Sequence, residues 1–229
     1  MAKTGYRVLI VDDESDIREI LEYNLTKEGY EVETAKNGKK GIEKAKSFHP
    51  HLILLDIMMP DQDGVETCRQ LREMSEFQST FIIFLTARSE EYSEVAAFEA
   101  GADDFINKPI KPRALLSRIQ ALFRRESKQV NNADKVSIGG LQIDRDSYTV
   151  IVDQQEITLP RKEFELLYFL ATHPGKVFNR EELLRNIWGA DVYVLARTVD
   201  VHVRKVREKI GDQYIVTVKG VGYKFEDIF

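Results

Sequence analysis

The sequence predicts an α/β domain built on a five-stranded parallel sheet, followed by a smaller α+β domain. Three observations carry that expectation. Over the first half, short apolar runs without polar alternation are separated by amphipathic stretches of helical length, as in parallel strands covered on both faces. From Arg124 to Lys135 (RRESKQVNNADK) apolar residues nearly vanish, as in a helix end followed by a linker. Beyond that stretch the pattern becomes short paired strands, three helices and a closing hairpin. A chain of 229 residues accommodates two modest domains, with boundaries expected at 1–125, a linker at 126–133, and 134–229.

Taken in order, the first-half strands are Tyr6 to Val11 (YRVLIV), Glu31 to Thr34, Leu52 to Leu55 (LILL), Phe81 to Leu85 (FIIFL) and a weaker Asp104 to Asn107. Between and after them, Ile17 to Lys27, Gly38 to Ser47, Val65 to Met74, Tyr92 to Glu99 and Lys111 to Arg124 are long enough for crossover helices. The second half opens with VSIGGLQID and YTVIVD as paired strands, and EITL before Pro160 as a third. Helices are expected at Arg161 to Thr172, Arg180 to Ile187 and Thr198 to Ile210, and QYIVTVKGVGYKFEDI reads as strand, glycine turn and strand. Phe164, Leu167, Phe178, Leu183 and Trp188 read as core.

Composition removes several classes. With 43% hydrophobic and 31% charged residues, 13 Gly and 6 Pro, the chain is neither collagenous nor largely disordered. No run approaches the roughly 18 apolar residues of a membrane span, and MAKTGYRVLIVDDE reaches acidic residues without a secretory apolar region, so no membrane role and a cytoplasmic address are expected. Cys68, the single cysteine, cannot form an internal disulfide or a multi-cysteine metal site. The net charge of -5 means that nucleic acid would need a local basic surface.

Asp12, Asp13 and Glu14 follow the first strand, and Asp56 follows the third. In a parallel sheet the carboxyl ends of neighbouring strands share one edge, so these acids can converge. Packed carboxylates repel unless a cation neutralises them, and a hard ion such as magnesium is the natural choice. Alone, the same acids would also serve as a helix cap and a turn starter. Thr86 and Lys108 end the fourth and fifth strands, adding a hydroxyl and an ammonium to the rim. A phosphoryl group on Asp56 would find the metal, Lys108 and Thr86 around its oxygens. No GxxxxGK[ST] loop is present for direct use of ATP.

The succession VLIVDDE, LLDIMMPDQDG, FLTAR and GADDFINKP resembles the receiver domain of bacterial response regulators over about residues 5 to 125. The resemblance implies a flavodoxin/CheY-like strand order and a sensor histidine kinase as phosphoryl donor. It makes Asp56 the phosphoacceptor, places Asp12, Asp13, Asp56 and the Met58 backbone carbonyl around Mg2+, and casts Thr86 and Lys108 as switch hydroxyl and phosphate-binding lysine. The Lys108-Pro109 bond would be cis. Phe105 takes the switch aromatic position, where tyrosine is common, and also suits a core place. Phosphorylation would form a homodimer through Tyr92 to Glu99, Asp104 to Asn107 and Lys111 to Arg124, with Asp103, Asp104, Arg118 and Arg125 as interface charges.

In RTVDVHVRKVREKI, Val199, Val203, Val206 and Ile210 form one buried stripe. Val201, Arg204, Lys205 and Glu208 then turn outward, with Thr198 and His202 at the flank. Arg197 to Lys209 holds five basic and two acidic groups, within a second half of 14 basic and 15 acidic. Such a face suits a major groove, though an ordinary solvated helix also looks like this. Thr217, Lys219, Gly220 and Gly222 make a small positive tip that suits a minor groove, or simply a glycine turn. LPRKEFELLYFLATHPGKVFNREELLRNIWG, RTVDVHVRKVREKIG and VTVKGVGYKF resemble the winged helix-turn-helix output domain of the OmpR/PhoB family over about residues 134 to 229. By that resemblance Arg197, Thr198, Val201, His202, Arg204, Lys205 and Arg207 address double-stranded DNA. Arg180 approaches its backbone, Thr217 and Lys219 act from the wing, and the Gly189 to Ala196 loop faces RNA polymerase. The whole then reads as a transcription regulator, not an enzyme. A magnesium-dependent phosphatase is the enzyme-class alternative, but the Asp-x-Asp pairing expected after its first strand is missing, and an interaction-only second domain is the other alternative.

Overall fold

The computed structural model describes residues 5–86, 98–128, 135–189 and 196–226, the side chains of 124–128 excepted. Most of the helix expected at Tyr92 to Glu99, most of the Gly189 to Ala196 loop and the Arg125 side chain lie outside the described residues. The chain divides into two compact units, Met1–Val130 and Asn131–Phe229.

In the first unit, β1 (Arg7–Val11), β2 (Glu31–Ala35), β3 (Leu52–Asp56), β4 (Phe81–Thr86) and β5 (Asp104–Asn107) form one parallel sheet in the order β2-β1-β3-β4-β5. The central strands are buried along their whole length, which explains why they lack polar alternation. Helices α1 (Ser15–Lys27), α2 (Gly38–Phe48), α3 (Gly64–Glu73) and α4 (Pro112–Lys128) connect or follow them, with a 3-10 turn at Ser75–Phe77. The Asn37 side chain caps α2 by accepting from the Lys40 N–H, and Asp63 caps α3 by accepting from the Glu66 N–H. Helix α4 runs three residues past the expected boundary at 125, because its helical register continues through the charged RRESK segment.

The second unit opens with an antiparallel meander, β6 (Lys135–Ile138), β7 (Leu141–Asp144), β8 (Thr149–Val152) and β9 (Gln155–Ile157). The segment expected as one strand, VSIGGLQID, is two: the chain reverses at Gly139, whose φ of +55° glycine adopts without strain, and Gly140. Helices α5 (Arg161–Ala171), α6 (Arg180–Ile187) and α7 (Thr198–Ile210) follow, and a short β10 (Phe178–Asn179) joins the hairpin β11 (Ile215–Val218) and β12 (Gly222–Phe225) in the order β10-β12-β11. A Cβ at Gly222 would overlap the Phe178 carbonyl, so this edge pairing requires glycine there. Phe164, Leu167, Phe178, Leu183 and Trp188 are buried in one core with Val199, Val203, Val206 and Ile210 of α7. That apolar face, with the capping box of Asn179 and Glu182 that starts α6, positions the two helices.

Candidate functional site

Sheet register assembles the first site. Val11 pairs with Leu55, so Asp12 and Asp56 are the next residues on adjacent strands; Thr86 pairs with Asn107, placing Lys108 one step beyond. One rim therefore carries Asp12, Asp56, Thr86 and Lys108. Lys108 Nζ lies 3.0 Å from Asp12 Oδ2, 3.2 Å from Asp56 Oδ2 and 3.0 Å from Glu14 Oε1. Glu14, which the sequence reading did not assign, is exposed and shares the ammonium; its signal was its place as the third acid after β1. The Lys108-Pro109 bond is cis, and the Lys108 N–H donates to the Thr86 carbonyl at 2.6 Å. Thr86 is buried, as is Phe105, whose ring meets Phe98 edge-on at 6.1 Å. Met58 is exposed, and its N–H donates to Asp56 Oδ1 at 3.3 Å.

Ligand atoms of Asp12, Asp13 and Asp56 lie within 4.8 Å of one another. Burial, then the charge of Asp12, raises the Asp56 carboxyl to about 6 despite Lys108. Asp12 is also raised, first by burial, against the pull of Lys108 and the Glu14 N–H. Burial alone would lower Lys108, but its carboxylate partners outweigh that and hold it above the usual ammonium range. Asp12 Oδ2 is buried and has no well-directed hydrogen bond, although Lys108 is close. The donor set is three carboxylates with surplus negative charge and one poorly satisfied buried oxygen, and it fits a small hard cation.

The second surface is on α7. Arg204 is exposed and pairs with Glu208 at 3.2 Å, while Val201 and Lys205 are partly exposed on the same side. Lys219 and Gly220 occupy the exposed hairpin turn, where Gly220 has φ +74°, and Val221 beside them is exposed.

Two family models match: residues 8–120 fit the response regulator receiver domain, and residues 154–225 fit the C-terminal domain of transcriptional regulatory proteins. The transcriptional regulatory protein ResD of Bacillus subtilis is 45% identical over 232 residues, spanning 96% of this chain and 95% of ResD. The transcriptional regulatory protein SrrA of Staphylococcus aureus is 43% identical over 231 residues, with the same coverage. The crystal structure of response regulator DrrB, a Thermotoga maritima OmpR/PhoB homolog, is 36% identical over 96% of this chain and 99% of that one, with a TM-score of 0.51. The chain belongs to the OmpR/PhoB-type response regulators. As a member it joins a receiver to a DNA-binding transcription regulatory domain and implies a histidine kinase as partner. Among the described residues no helix is long and apolar enough to cross a membrane.

Several residues expected at the response regulator's interfaces are otherwise engaged. Thr198 and His202 are buried, so neither flanks a groove. His202 Nδ1 lies 2.9 Å from the Thr198 carbonyl and its ring meets Trp188 edge-on at 4.8 Å. The reason is that a helix packed on a core buries an arc wider than its central stripe. The His202 imidazole is lowered to about 4, chiefly by burial. Arg207 donates to the Ile215 carbonyl at 2.9 and 2.6 Å and to Thr217 Oγ1 at 2.8 Å, tying α7 to the hairpin. Thr217 is thereby an acceptor within the protein. Arg180 Nε donates to Asp200 Oδ1 at 2.7 Å. Arg197 is partly exposed immediately before α7.

The expected interface charges of the receiver also pair within the chain. Asp103 is 1% exposed and accepts from Arg72 Nη2 and from the Ile82 N–H, both at 2.8 Å, so it faces the interior and not a second subunit. Asp104 lies 3.1 Å from Arg118 Nε of the same chain. Arg72, which no sequence pattern marked, also donates to the carbonyls of Gly101 and Thr80 at 2.8 Å.

Proposed function

We propose that this regulator accepts a phosphoryl group on Asp56 from its partner kinase and that the modification strengthens DNA binding by pairing receivers. The observation that carries the reading is the single ammonium of Lys108 held by Asp12 and Asp56 beside the Asp13 carboxylate. Asp56, when ionised, attacks phosphorus while the bond to the donor's imidazole nitrogen breaks and that nitrogen leaves with the electron pair. A magnesium ion held by Asp12, Asp13, Asp56 and the Met58 carbonyl would neutralise charge on the phosphoryl oxygens. Lys108 exchanges a carboxylate for a phosphoryl oxygen, and the Thr86 hydroxyl donates to another. Movement of Thr86 toward the phosphoryl group opens space for the Phe105 ring and couples the site to the β5 surface. The protein supplies nucleophile and electrostatics and acts as a switch, not as a turnover enzyme.

Pairing would use β5, α4 and the segment 92–99, with Asp104 and Arg118 able to exchange their internal ion pair for one across the dyad; Arg125 would join them. Linked receivers raise the effective concentration of the second effector at an adjacent half-site. In the effector, Lys205, Arg204 and Val201 address the major groove, Arg197 a phosphate, and Lys219 the minor groove. Thr198, His202 and Arg207 support the reading helix. The 189–196 loop is the surface offered to RNA polymerase, and the cytoplasm is where all these partners meet.

The test uses a small phosphodonor with magnesium and intact-mass detection. Wild type takes one phosphoryl group and Asp56→Asn none; labelling of the variant at the wild-type rate overturns the assignment. Equilibrium binding to one-site and two-site duplexes then measures the output. Phosphorylation should tighten binding to the paired site far more, and equal tightening on both sinks the pairing mechanism.

A further inference from the structure

Three elements of the effector unit converge on one carboxylate oxygen. Arg180 is the first residue of α6, Asp200 lies in the first turn of α7, and Tyr223 is in β12. Asp200 Oδ1 accepts from Arg180 Nε at 2.7 Å and from the Tyr223 hydroxyl at 2.6 Å. The Arg180 guanidinium also stands 5.2 Å over the Tyr223 ring. The ion pair is not interior: the Arg180 and Asp200 side chains are 35% and 41% exposed. It therefore sits where a nucleic-acid backbone could compete for the arginine. Burial, then the Asp200 bond, pushes the Tyr223 hydroxyl up to about 12, so it remains a donor to Asp200 throughout the neutral range.

The placement of Asp200 sharpens the point. On a helix of 3.6 residues per turn, positions 200, 204 and 207 share one flank. Arg204 pairs with Glu208 and Arg207 ties to the hairpin, so acidic or backbone oxygens engage each basic group of this flank. A cation already satisfied by a fixed carboxylate releases no condensed counterion when a phosphate approaches, unless the carboxylate first gives it up.

We infer that Asp200 is a charge mask: it withholds Arg180 from DNA phosphates and, through Tyr223, holds the hairpin to the reading helix, so that affinity for unspecific duplex stays low. The inference rests on the DNA reading proposed above. It makes Asp200 a specificity-determining residue without any base contact. Asp200→Asn keeps an acceptor for the Tyr223 hydroxyl while removing the charge that holds Arg180.

The experiment measures binding of the full chain to a mixed-sequence duplex over a salt series, with circular dichroism to establish that each variant is folded. Asp200→Asn should bind several-fold tighter at moderate salt, and its plot of log K against log salt should steepen by about 0.9, the value for one added phosphate contact. Arg180→Gln alone should leave the wild-type slope unchanged, and Arg180→Gln combined with Asp200→Asn should return it to wild type. Tyr223→Phe removes only the hydroxyl and should not move the slope. An unchanged slope in Asp200→Asn overturns the mask, as does a shallower slope in Arg180→Gln, which would mean that Arg180 already grips phosphate. Failure of wild type to bind duplex even at low salt would instead refute the DNA reading itself. Should Asp200→Asn not fold, the Arg180→Gln slope decides alone.

Discussion

Arg72→Met should unfold the receiver at a much lower temperature, although Arg72 does not touch the phosphoacceptor. The guanidinium is 6% exposed and its partner Asp103 1%. It donates to Asp103, Gly101, Phe77 and Thr80, closing α3 onto the chain segments that flank β4 and β5. Removing it leaves a buried carboxylate that has lost its cationic partner and keeps the Ile82 N–H as a backbone donor. Breaking a buried pair in this way costs about 3–5 kcal/mol, because the surviving charge stays desolvated. For a domain of this size that corresponds to a fall of roughly 10–20 °C in Tm. Calorimetry of the full chain should show the receiver transition falling by that amount and the effector transition unmoved. Asp103→Asn should cost less, since the amide still accepts from Arg72, and the double variant should be more stable than the sum of the single losses predicts. The reasoning fails if Arg72→Met melts within two or so degrees of wild type (about 0.5 kcal/mol). It fails equally if Asp103→Asn leaves stability intact but weakens self-association, for then Asp103 is an intersubunit group.

Other outcomes follow from the same geometry. His202 falls from 6.5 to about 4 on folding, so the stability it contributes is present above pH 6.5 and is lost as pH drops toward 4, about 2 kcal/mol by pH 5. Trp188, the single tryptophan, reports effector unfolding in urea, and His202→Gln should flatten the pH dependence; an unchanged slope would assign it to other groups. Asp56 moves the opposite way for an acid: raised from 3.8 to about 6, it favours the folded state below pH 3.8, and that stability is lost as pH rises through 6. In chelator at pH 8, Asp56→Asn should therefore be more stable than wild type by about 3 kcal/mol, the two converging below pH 4; equal stability at pH 8 would show that Lys108 fully compensates the charge. Gly64→Ala places a methyl group against the Asp56 carbonyl and should slow phosphodonor labelling and cost about 1–3 kcal/mol, whereas wild-type kinetics would show that the loop yields freely.

What the sequence determined by itself was mostly periodic. Fully buried parallel strands need unbroken apolar runs, so LILL and FIIFL marked themselves, and their ends marked Asp56 and Thr86. Helix spacing likewise located α7 to the residue, from Thr198 to Ile210. Away from the strand-end rim, residues whose role depends on a partner far along the chain were not legible. Asp103 and Asp104 are adjacent and chemically identical, yet one turns inward to Arg72, 31 positions away, and the other toward Arg118. Arg180 and Arg207 look in sequence like cations awaiting phosphate, and only folding brings Asp200, Ile215 and Thr217 to them. The width of the buried arc on α7, which takes in Thr198 and His202, was set by the surface packed against it. Periodicity reports which way a backbone turns its side chains, but the neighbours they meet, and hence whether a charge is spent or available, are fixed only by tertiary packing.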